Sequence, residues 1–167
     1  AKAKGCRAVG VAGGAEKCRY VVEELGFDAC VDYKAGKLKD DLKAALPRGV
    51  DCLFENVGGE IFDALLARTN AFARIALCGM IADYNTTDPY CMKNVRTVLI
   101  NRLKLQGFIV SEHMEQWPVA LRELGGMVAA GKLHYRESVL HGLENATEAF
   151  IGMLKGRNFG KQLVKLV

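Results

Sequence analysis

The 167-residue sequence lacks the run of about 20 uninterrupted apolar residues that a membrane-spanning helix requires. Its first residues, AKAKGC, also lack the apolar core of a signal peptide. A basic patch interleaved with aromatic residues is missing as well, because the 23 lysines and arginines are spread among 19 acidic residues. We therefore expect a cytoplasmic protein that binds neither a membrane nor a nucleic acid.

Patterns typical of metal centres, hydrolases and disulfide scaffolds are also missing. The three histidines have no partners at the spacing of metal ligands, and no cysteine or histidine cluster for zinc is present. No GxSxG motif marks a nucleophilic serine. The cysteines form no CxxC pair and most lie in apolar runs, so we expect reduced, buried thiols. The six cysteines are Cys6, Cys18, Cys30, Cys52, Cys78 and Cys91.

What the sequence does contain is an alternation of short apolar strands and amphipathic helices. Strands that alternate with helices form parallel sheets with helices on both faces, so we predict an α/β fold with a doubly wound parallel sheet. The predicted strands are residues 6–12, 28–33, 50–57, 72–79 and 105–110. The helices between them are predicted over residues 15–25, 37–46, 61–65 and 95–102.

The last part of the chain follows a different pattern. It predicts a helix over residues 118–130, a polar strand over residues 134–140 and a final strand over residues 161–167. Between the two strands, Asn145 and Glu148 have the spacing of a helix capping box. The helix after this box should turn four apolar side chains inward, namely Ala149, Phe150, Met153 and Leu154. Since the chain holds no internal repeat or linker, we expect one domain.

The turn after the first predicted strand holds two glycines at the place where NAD-binding sheets put an acid on the ribose 2′-hydroxyl. No carboxylate occupies this strand tip in the sequence, so a 2′-phosphate could approach it, and Lys17 with Arg19 would supply positive charge. The alternative is that Lys17 is an ordinary solvated lysine. The next strand ends in Tyr33 and Lys34, either of which could reach a phosphate, although a tyrosine there also suits packing.

Glycines also follow two later strands, in the motifs ENVGG and LCGM. Both motifs lie at the carboxyl ends of parallel strands, where open α/β sheets bind their ligands. Gly58, Gly59 and Gly79 would let a cofactor approach the backbone closely; alternatively, they serve the turns alone.

Several segments together resemble one family in their order and spacing. They are AGGAEKCRYVVEELGFDACVDYK, FENVGG, CGMIADYN, GFIV and GKLHYRESVLHGLENATEAFIGMLKGRNFGKQLVKLV. The whole chain is similar to the zinc-independent medium-chain dehydrogenase/reductases, and most of all to the branch of prostaglandin reductases, leukotriene hydroxydehydrogenases and NADPH-dependent curcumin reductases. The resemblance implies a Rossmann fold, NADP(H) as cofactor, and hydride transfer to the β-carbon of an α,β-unsaturated ketone or aldehyde.

The resemblance also implies roles for individual residues. Lys17 and Tyr33 match the family's contacts to the 2′-phosphate of NADP. Tyr84 is the candidate catalytic residue, as a hydrogen-bond donor to the enolate oxygen of the substrate beside the nicotinamide ribose hydroxyl. The remaining implied cofactor contacts are Asn56, Cys78, Gly79, Met80, Ile81, Phe108, Ile109, Val110 and Asn158.

Three features of the family are missing here: the GroES-like barrel domain, the first Rossmann strand and the glycine-rich phosphate loop. The first strand is central in the order 3-2-1-4-5-6, so strands beginning at Cys6 and Val50 should have open edges unless they pair with each other or with another chain. A smaller departure is Glu55, where the family usually has Asp. We therefore expect residues 1–167 to form an incomplete NADP-binding Rossmann domain, with a return segment at about residues 132–167 that packs toward the barrel in the family.

Such a fragment should bind NADPH poorly and catalyse nothing by itself, because the pyrophosphate loses its helix N-terminus. Activity on a small enone or alkenal would belong to the full-length enzyme, and a homodimer could form through the sixth strand. The main alternative is a non-catalytic nucleotide-binding module. A Rossmann-like methyltransferase is disfavoured because the C-terminal segments match the reductases.

Overall fold

The computed structural model describes residues 1–166, in which short strands and helices alternate. Val167, the last residue of the predicted final strand, lies outside the described residues. The strands are β1 (Val9–Ala12), β2 (Ala29–Asp32), β3 (Val50–Glu55), β4 (Thr69–Leu77), β5 (Lys104–Gly107), β6 (Glu137–His141) and β7 (Lys161–Lys165). The α-helices are α1 (Ala15–Glu23), α2 (Leu38–Ala45), α3 (Gly59–Leu66), α4 (Arg96–Ile100), α5 (Trp117–Ala129) and α6 (Ala146–Leu154). Short 3₁₀ segments cover Lys2–Lys4, Tyr33–Ala35, Ile81–Asp83, Val110–Gln116 and Leu143–Asn145. The segment Val110–Gln116 consists of two turns that are separated by a kink at His113.

The strands form three separate sheets, and every strand pair is parallel. β1 pairs with β2, β4 lies between β3 and β5, and β6 pairs with β7. This arrangement confirms the predicted parallel α/β fold. Within residues 1–166, β1 has only β2 as a neighbour and β3 has only β4. Both strands therefore keep an open edge, as expected when the central strand is missing.

One hydrophobic core joins the β1–β2 sheet to the three-stranded sheet. Leu42 is fully buried in this core because α2 presents it, one turn after Leu38, toward β2 and α3. Val31 and Leu65 are buried beside it, and Leu53 of β3 packs against the same cluster. The shared core holds the two sheets together although no strand pairing joins them.

The three-stranded sheet is covered on one face. Leu53 and Ile75 pack against buried Phe62 of α3 on that face. On the opposite face, Phe54 is 63% exposed, and Arg74 is also exposed. The prediction of helices on both faces is therefore wrong for this sheet in the described part of the chain.

Helix α6 begins without the predicted capping box. The Asn145 side chain donates to the carbonyl oxygen of His141 at 2.7 Å and makes no capping bond to the first turn. The cause is the 3₁₀ turn Leu143–Asn145, which gives Asn145 nearly helical dihedral angles and directs its side chain back toward β6.

The inward face of α6 is narrower than predicted. Ala149 is buried, Met153 and Leu154 are half-buried, and Phe150 is 58% exposed. Successive residues of an α-helix lie about 100° apart around its axis, so Ala149 and Phe150 cannot share one narrow face. The prediction is wrong for Phe150.

All six cysteines are free thiols, but the prediction that they are buried is wrong. Cys18 and Cys30 are half-buried, and the other four are exposed. Cys52 is exposed because it lies on the uncovered face of β3, which an apolar run in the sequence does not reveal. Burial raises the pKa of Cys30 to about 12, so that thiol stays protonated at neutral pH.

Candidate functional site

The tips of β1 and β2 lie against each other. A Cβ atom added to Gly13 would come within 2.8 Å of the Tyr33 hydroxyl and 2.9 Å of Lys34 Cε. The absence of a side chain at Gly13 thus lets Tyr33 and Lys34 lie over the strand tip. Tyr33 is 40% exposed there. The structure therefore brings together the strand ends for which the sequence predicts phosphate contacts.

A carboxylate also lies at this tip, which corrects one expectation from the sequence. Asp32 of β2 accepts hydrogen bonds from the backbone N–H of Gly14 at 2.8 Å and of Lys34 at 2.9 Å. These two bonds hold the pKa of the Asp32 carboxyl below its ordinary value. The acid comes from the neighbouring strand rather than from β1, so reading along one strand misses it. An aspartate followed two residues later by a donating N–H is the signal of such a turn.

Lys17 lies in the first turns of α1 and is half-buried. Its ammonium group donates to the carbonyl oxygen of Gly156 at 2.8 Å, and the Asn158 side chain donates to Gly160 at 2.7 Å in the same turn. Lys17 therefore contacts the turn that carries Asn158, although the two residues lie far apart in sequence. Arg19, on the other hand, is exposed.

The turn after β3 is organised by a buried acid. Glu55 is 3% exposed, and its carboxylate accepts from the backbone N–H groups of Val57 and Gly58. Gly58 and Gly59 have positive φ angles of 75° and 58°, which residues with side chains rarely adopt. Glu55 thus shapes the turn that carries Asn56. In the sequence, Glu55 stands out only as a departure from the family.

Backbone hydrogen bonds attach the loop after β4 to that turn. Cys78 and Gly79 donate to the carbonyl oxygen of Glu55 at 2.8 and 3.2 Å, and Ile81 donates to that of Asn56 at 3.2 Å. The predicted residues Asn56, Cys78, Gly79 and Ile81 therefore form one surface at the carboxyl ends of β3 and β4.

The Tyr84 hydroxyl lies on this surface. Its oxygen accepts from the backbone N–H of Met80 at 3.3 Å, while the side chain is 62% exposed. A Cβ added to Gly79 would lie 3.2 Å from that oxygen and 3.3 Å from the carbonyl oxygen of Asn56. Because the hydroxyl accepts from Met80, its own proton is free to be donated to a substrate oxygen.

Three further predicted residues follow β5, beside the same loop. Phe108 donates its backbone N–H to Leu77 at 3.1 Å, and its ring packs against Phe54 with centroids 6.2 Å apart. Ile109 and Val110 are 62% and 56% exposed. They extend the apolar part of the surface next to β4.

The loop that follows Tyr84 is fastened by a second buried acid, which the sequence analysis missed. Asp63 of α3 is 3% exposed and accepts from the backbone N–H groups of Lys93 and Asn94 at 2.9 and 2.8 Å. The Tyr90 hydroxyl also donates to it at 3.3 Å. Burial is the main cause that raises the pKa of the Tyr90 hydroxyl, and the nearby Asp63 carboxylate raises it further. No local pattern marks Asp63, because its partners lie about 30 residues later in the chain.

A cavity of about 770 Å³ opens between the loops after β2, β3 and β4. Tyr33, Gly58 and Ile81 line it, so the cavity joins Tyr33 to the surface around Tyr84. Lys37 and Lys39 bring positive charge to its wall and Asp40 and Glu60 bring negative charge, and none of these four was predicted as a site residue. This volume lies within the usual range for small-molecule sites.

Residues 1–166 contain neither a metal-binding cluster nor a helix that could span a membrane. No group of three or more His, Cys, Asp or Glu side chains in this range is placed to hold a metal ion. None of its helices combines the length and the apolar composition that crossing a bilayer requires.

Comparison with known proteins identifies the family. Residues 1–125 match the family described as zinc-binding dehydrogenase. The chain belongs to this family. The match ends within α5, so the β6–β7 segment of this dehydrogenase family member lies beyond the matched range.

Two curated proteins share a large part of the sequence of this family member. It is 47% identical to the NADPH-dependent curcumin reductase of Escherichia coli, over 99% of this chain and 50% of that protein. It is 44% identical to prostaglandin reductase 1 of Bos taurus, over 99% of this chain and 51% of that protein. The chain thus spans about half the length of the curated relatives it matches, and the predicted family branch is confirmed.

The solved structures agree with this assignment. The crystal structure of CurA from Vibrio vulnificus in complex with NADPH matches with a TM-score of 0.94 and 44% identity. The match covers 99% of this chain and 51% of that one. The separate parallel sheets described above therefore correspond to about half of the CurA chain.

Proposed function

We propose that the full-length protein containing this chain is an NADPH-dependent reductase of the carbon–carbon double bond in α,β-unsaturated ketones and aldehydes. The observation that carries this proposal is the placement of the Tyr84 hydroxyl beside Gly79 and Asn56, on a surface joined by one cavity to Tyr33. The names of the reductase relatives and the NADPH complex of CurA support it.

The residues present fit NADP(H). A basic group, Lys17, and a phenol, Tyr33, lie near the β1 and β2 tips, where a 2′-phosphate would be bound. The Asp32 carboxylate at the same tip is engaged by the backbone N–H groups of Gly14 and Lys34. Gly79 keeps the floor beneath Tyr84 free of a side chain, so a flat ring could approach the backbone there. The other residues that would hold the cofactor are Asn56, Cys78, Met80, Ile81, Phe108, Ile109, Val110 and Asn158. When bound, NADPH supplies the hydride that adds to the β-carbon of the substrate, and NADP⁺ is left.

Tyr84 would stabilise the charge that develops on the substrate. As the β-carbon gains a hydride, the double bond shifts and the carbonyl oxygen becomes an enolate oxygen. The Tyr84 hydroxyl donates a hydrogen bond to that oxygen, and the Met80 N–H holds the phenol in place. Solvent then protonates the α-carbon, so the product is the saturated ketone or aldehyde. No protein nucleophile takes part.

The exposed apolar side chains around this surface would be covered in the full-length protein. Phe54 at 63% and Ile109 at 62% exposure leave the reacting groups open to water. Water exclusion strengthens the hydrogen bonds that stabilise an enolate, so we propose that further protein lies over these residues. Residues 1–167 would form an incomplete NADP-binding domain, whose return segment at about residues 132–167 packs toward that catalytic part.

The open edges of β1 and β3 affect how well the isolated chain would bind a cofactor. A central strand between them would complete the sheet and bring a phosphate-binding loop to the β1 tip. Without it, the isolated chain would bind NADPH poorly and would have no reductase activity.

Three finer assignments belong to the same proposal. The reaction is zinc-independent, because hydride transfer to an enone needs no Lewis acid beyond the hydrogen-bond donors named above. The enzyme acts in the cytoplasm. It forms a homodimer through β5, which is the sixth strand of the order 3-2-1-4-5-6 when the missing first strand is counted. The four residues of β5 are all exposed, and β4 is its strand neighbour in the described residues.

The proposal is tested with the purified full-length protein, NADPH and a 2-alkenal. We expect NADPH oxidation and a saturated aldehyde as product. An allylic alcohol would contradict the proposal, since it would mean that the carbonyl group is reduced. Tight NADPH binding without turnover of any enone or alkenal would favour the non-catalytic nucleotide-binding module instead.

A further inference from the structure

Three side chains join the turn between α6 and β7 to helix α1. The ring of Phe159 meets the ring of Tyr20 edge-on, with centroids 5.1 Å apart. The Arg136 guanidinium lies 4.1 Å from the Phe159 centroid and 5.8 Å from the Tyr20 centroid. Edge-on aromatic pairs and guanidinium–ring contacts both stabilise the groups that make them. We call Tyr20, Arg136 and Phe159 the aromatic cluster.

The turn itself is held firmly to β6. The Ser138 hydroxyl donates to the carbonyl oxygen of Phe159 at 2.8 Å and accepts from its backbone N–H at 2.9 Å. Gly160 has a φ angle of 76°, and a Cβ there would collide with the carbonyl group of Arg136. The turn and β6 therefore behave as one unit, and the aromatic cluster determines where that unit sits on α1.

The same turn contacts α1 at a second point, one helical turn away from the cluster. Lys17 and Tyr20 are three residues apart and lie on the same side of the helix. While Phe159 packs on Tyr20, the carbonyl oxygen of Gly156 accepts from the Lys17 ammonium at 2.8 Å. An ammonium group has three N–H donors, so two remain for a phosphate.

We infer that Phe159 is a positioning residue for the selection of NADPH over NADH. The aromatic cluster seats the turn on α1 so that Gly156 holds the Lys17 ammonium in one orientation at the β1 tip. This inference rests on the proposed function, and it assigns control of the 2′-phosphate contact to three residues outside the binding surface. A lysine side chain without this fixed acceptor regains rotamer freedom, which binding must then remove.

The inference distinguishes two effects of loosening the turn. Lys17 would contact only the cofactor that carries the 2′-phosphate, whereas Asn158, in the same turn, would contact NADPH and NADH alike. A general loss of the turn weakens both cofactors equally. A loss of the fixed orientation of Lys17 weakens the binding of NADPH alone. The ratio of the two dissociation constants therefore distinguishes the two effects.

The test uses the full-length protein and measures Kd for NADPH and NADH in Phe159→Leu, Phe159→Tyr and a matched control. We expect Phe159→Leu to raise the Kd of NADPH about ten-fold and the Kd of NADH by no more than about two-fold. This is the loss that freeing one long side chain implies. Phe159→Tyr keeps the ring and should restore the wild-type ratio. Phe150→Leu makes the same change on an exposed phenylalanine of α6 and should leave both constants unchanged.

If Phe159→Leu does not fold, the milder variant Arg136→Gln tests whether the aromatic cluster controls the ratio of the two dissociation constants. It removes the guanidinium from an exposed position and should shift the ratio in the same direction, by about three-fold. An unchanged ratio in the folded variants, or an equal loss for both cofactors, overturns the inference while leaving the proposed function intact. A wild-type protein that does not bind NADPH overturns both.

Discussion

The hydroxyl oxygen of Tyr84 lies 3.3 Å from the backbone nitrogen of Met80 and accepts its hydrogen bond. This contact holds an exposed phenol above the glycine-lined turn after β4, with its proton free to be donated. The relationship places a hydrogen-bond donor at a sheet edge where parallel α/β proteins bind their ligands.

Replacing Tyr84 by phenylalanine in the full-length enzyme should lower kcat for a 2-alkenal about 10²-fold, because one donor to the enolate oxygen is lost. The Kd of NADPH should stay the same. Steady-state kinetics measure the first quantity and fluorescence titration the second. Tyr135→Phe is the matched control, since Tyr135 is 67% exposed and lies outside this surface. Full turnover in Tyr84→Phe would remove the tyrosine from the mechanism.

Replacing Lys17 by alanine should weaken the binding of NADPH about ten- to a hundred-fold, which is the loss expected for one hydrogen bond to a charged group. NADH should be affected far less, because it has no 2′-phosphate. Titration of both cofactors against Lys17→Ala and the exposed Lys155→Ala measures the difference. Equal weakening of the two cofactors would show that Lys17 supports the fold rather than reads the phosphate.

Replacing Gly13 by alanine should impair cofactor binding more than stability. The new Cβ would meet the hydroxyl of Tyr33 and Cε of Lys34, which are the mobile ends of side chains and can move aside. We expect a Tm close to that of the wild type and a higher Kd for NADPH. Gly125→Ala in α5 has open space around it and should raise stability by about 0.5–1 kcal/mol. Unchanged NADPH binding in Gly13→Ala would contradict the placement of the phosphate at this tip.

The Asp32 carboxyl should make stability depend on pH in the acidic range. Hydrogen bonds from Gly14 and Lys34 lower its pKa in the folded state, so its contribution is present above the ordinary pKa near 3.8 and is lost as the pH falls through the lower folded value. Urea unfolding between about pH 5 and pH 2 should therefore show a smaller loss of stability in Asp32→Asn than in the wild type. Asp40→Asn, on an exposed side chain of α2, should follow the wild-type curve. Parallel curves for all three proteins would contradict this role of Asp32.

The order of strands and helices could be predicted because it depends on local apolar periodicity. The run around Val31 and the spacing of Leu38 and Leu42 indicate a buried strand and an amphipathic helix without knowledge of the rest of the chain. The open edges of β1 and β3 were expected from the resemblance to the family, because the missing first strand is central in its strand order.

The contacts between distant segments could not be predicted from the residues. The Gly14 to Asp32 bond spans 18 positions, and the Lys17 to Gly156 bond spans 139 positions. Such contacts depend on how packed elements meet, which periodicity does not encode. Likewise, the exposure of Cys52 depends on which face of the sheet is covered. An apolar run in the sequence is the same whether its residues lie on a covered or an uncovered face.

The central claim is that hydride from NADPH is added to the β-carbon of an enone. The most direct measurement uses the full-length protein, NADPH with deuterium at both C4 positions, and a 2-alkenal, followed by NMR of the product. We predict a saturated aldehyde with one deuterium at the β-carbon. Deuterium at the former carbonyl carbon of an allylic alcohol, or a product without deuterium, would contradict the claim.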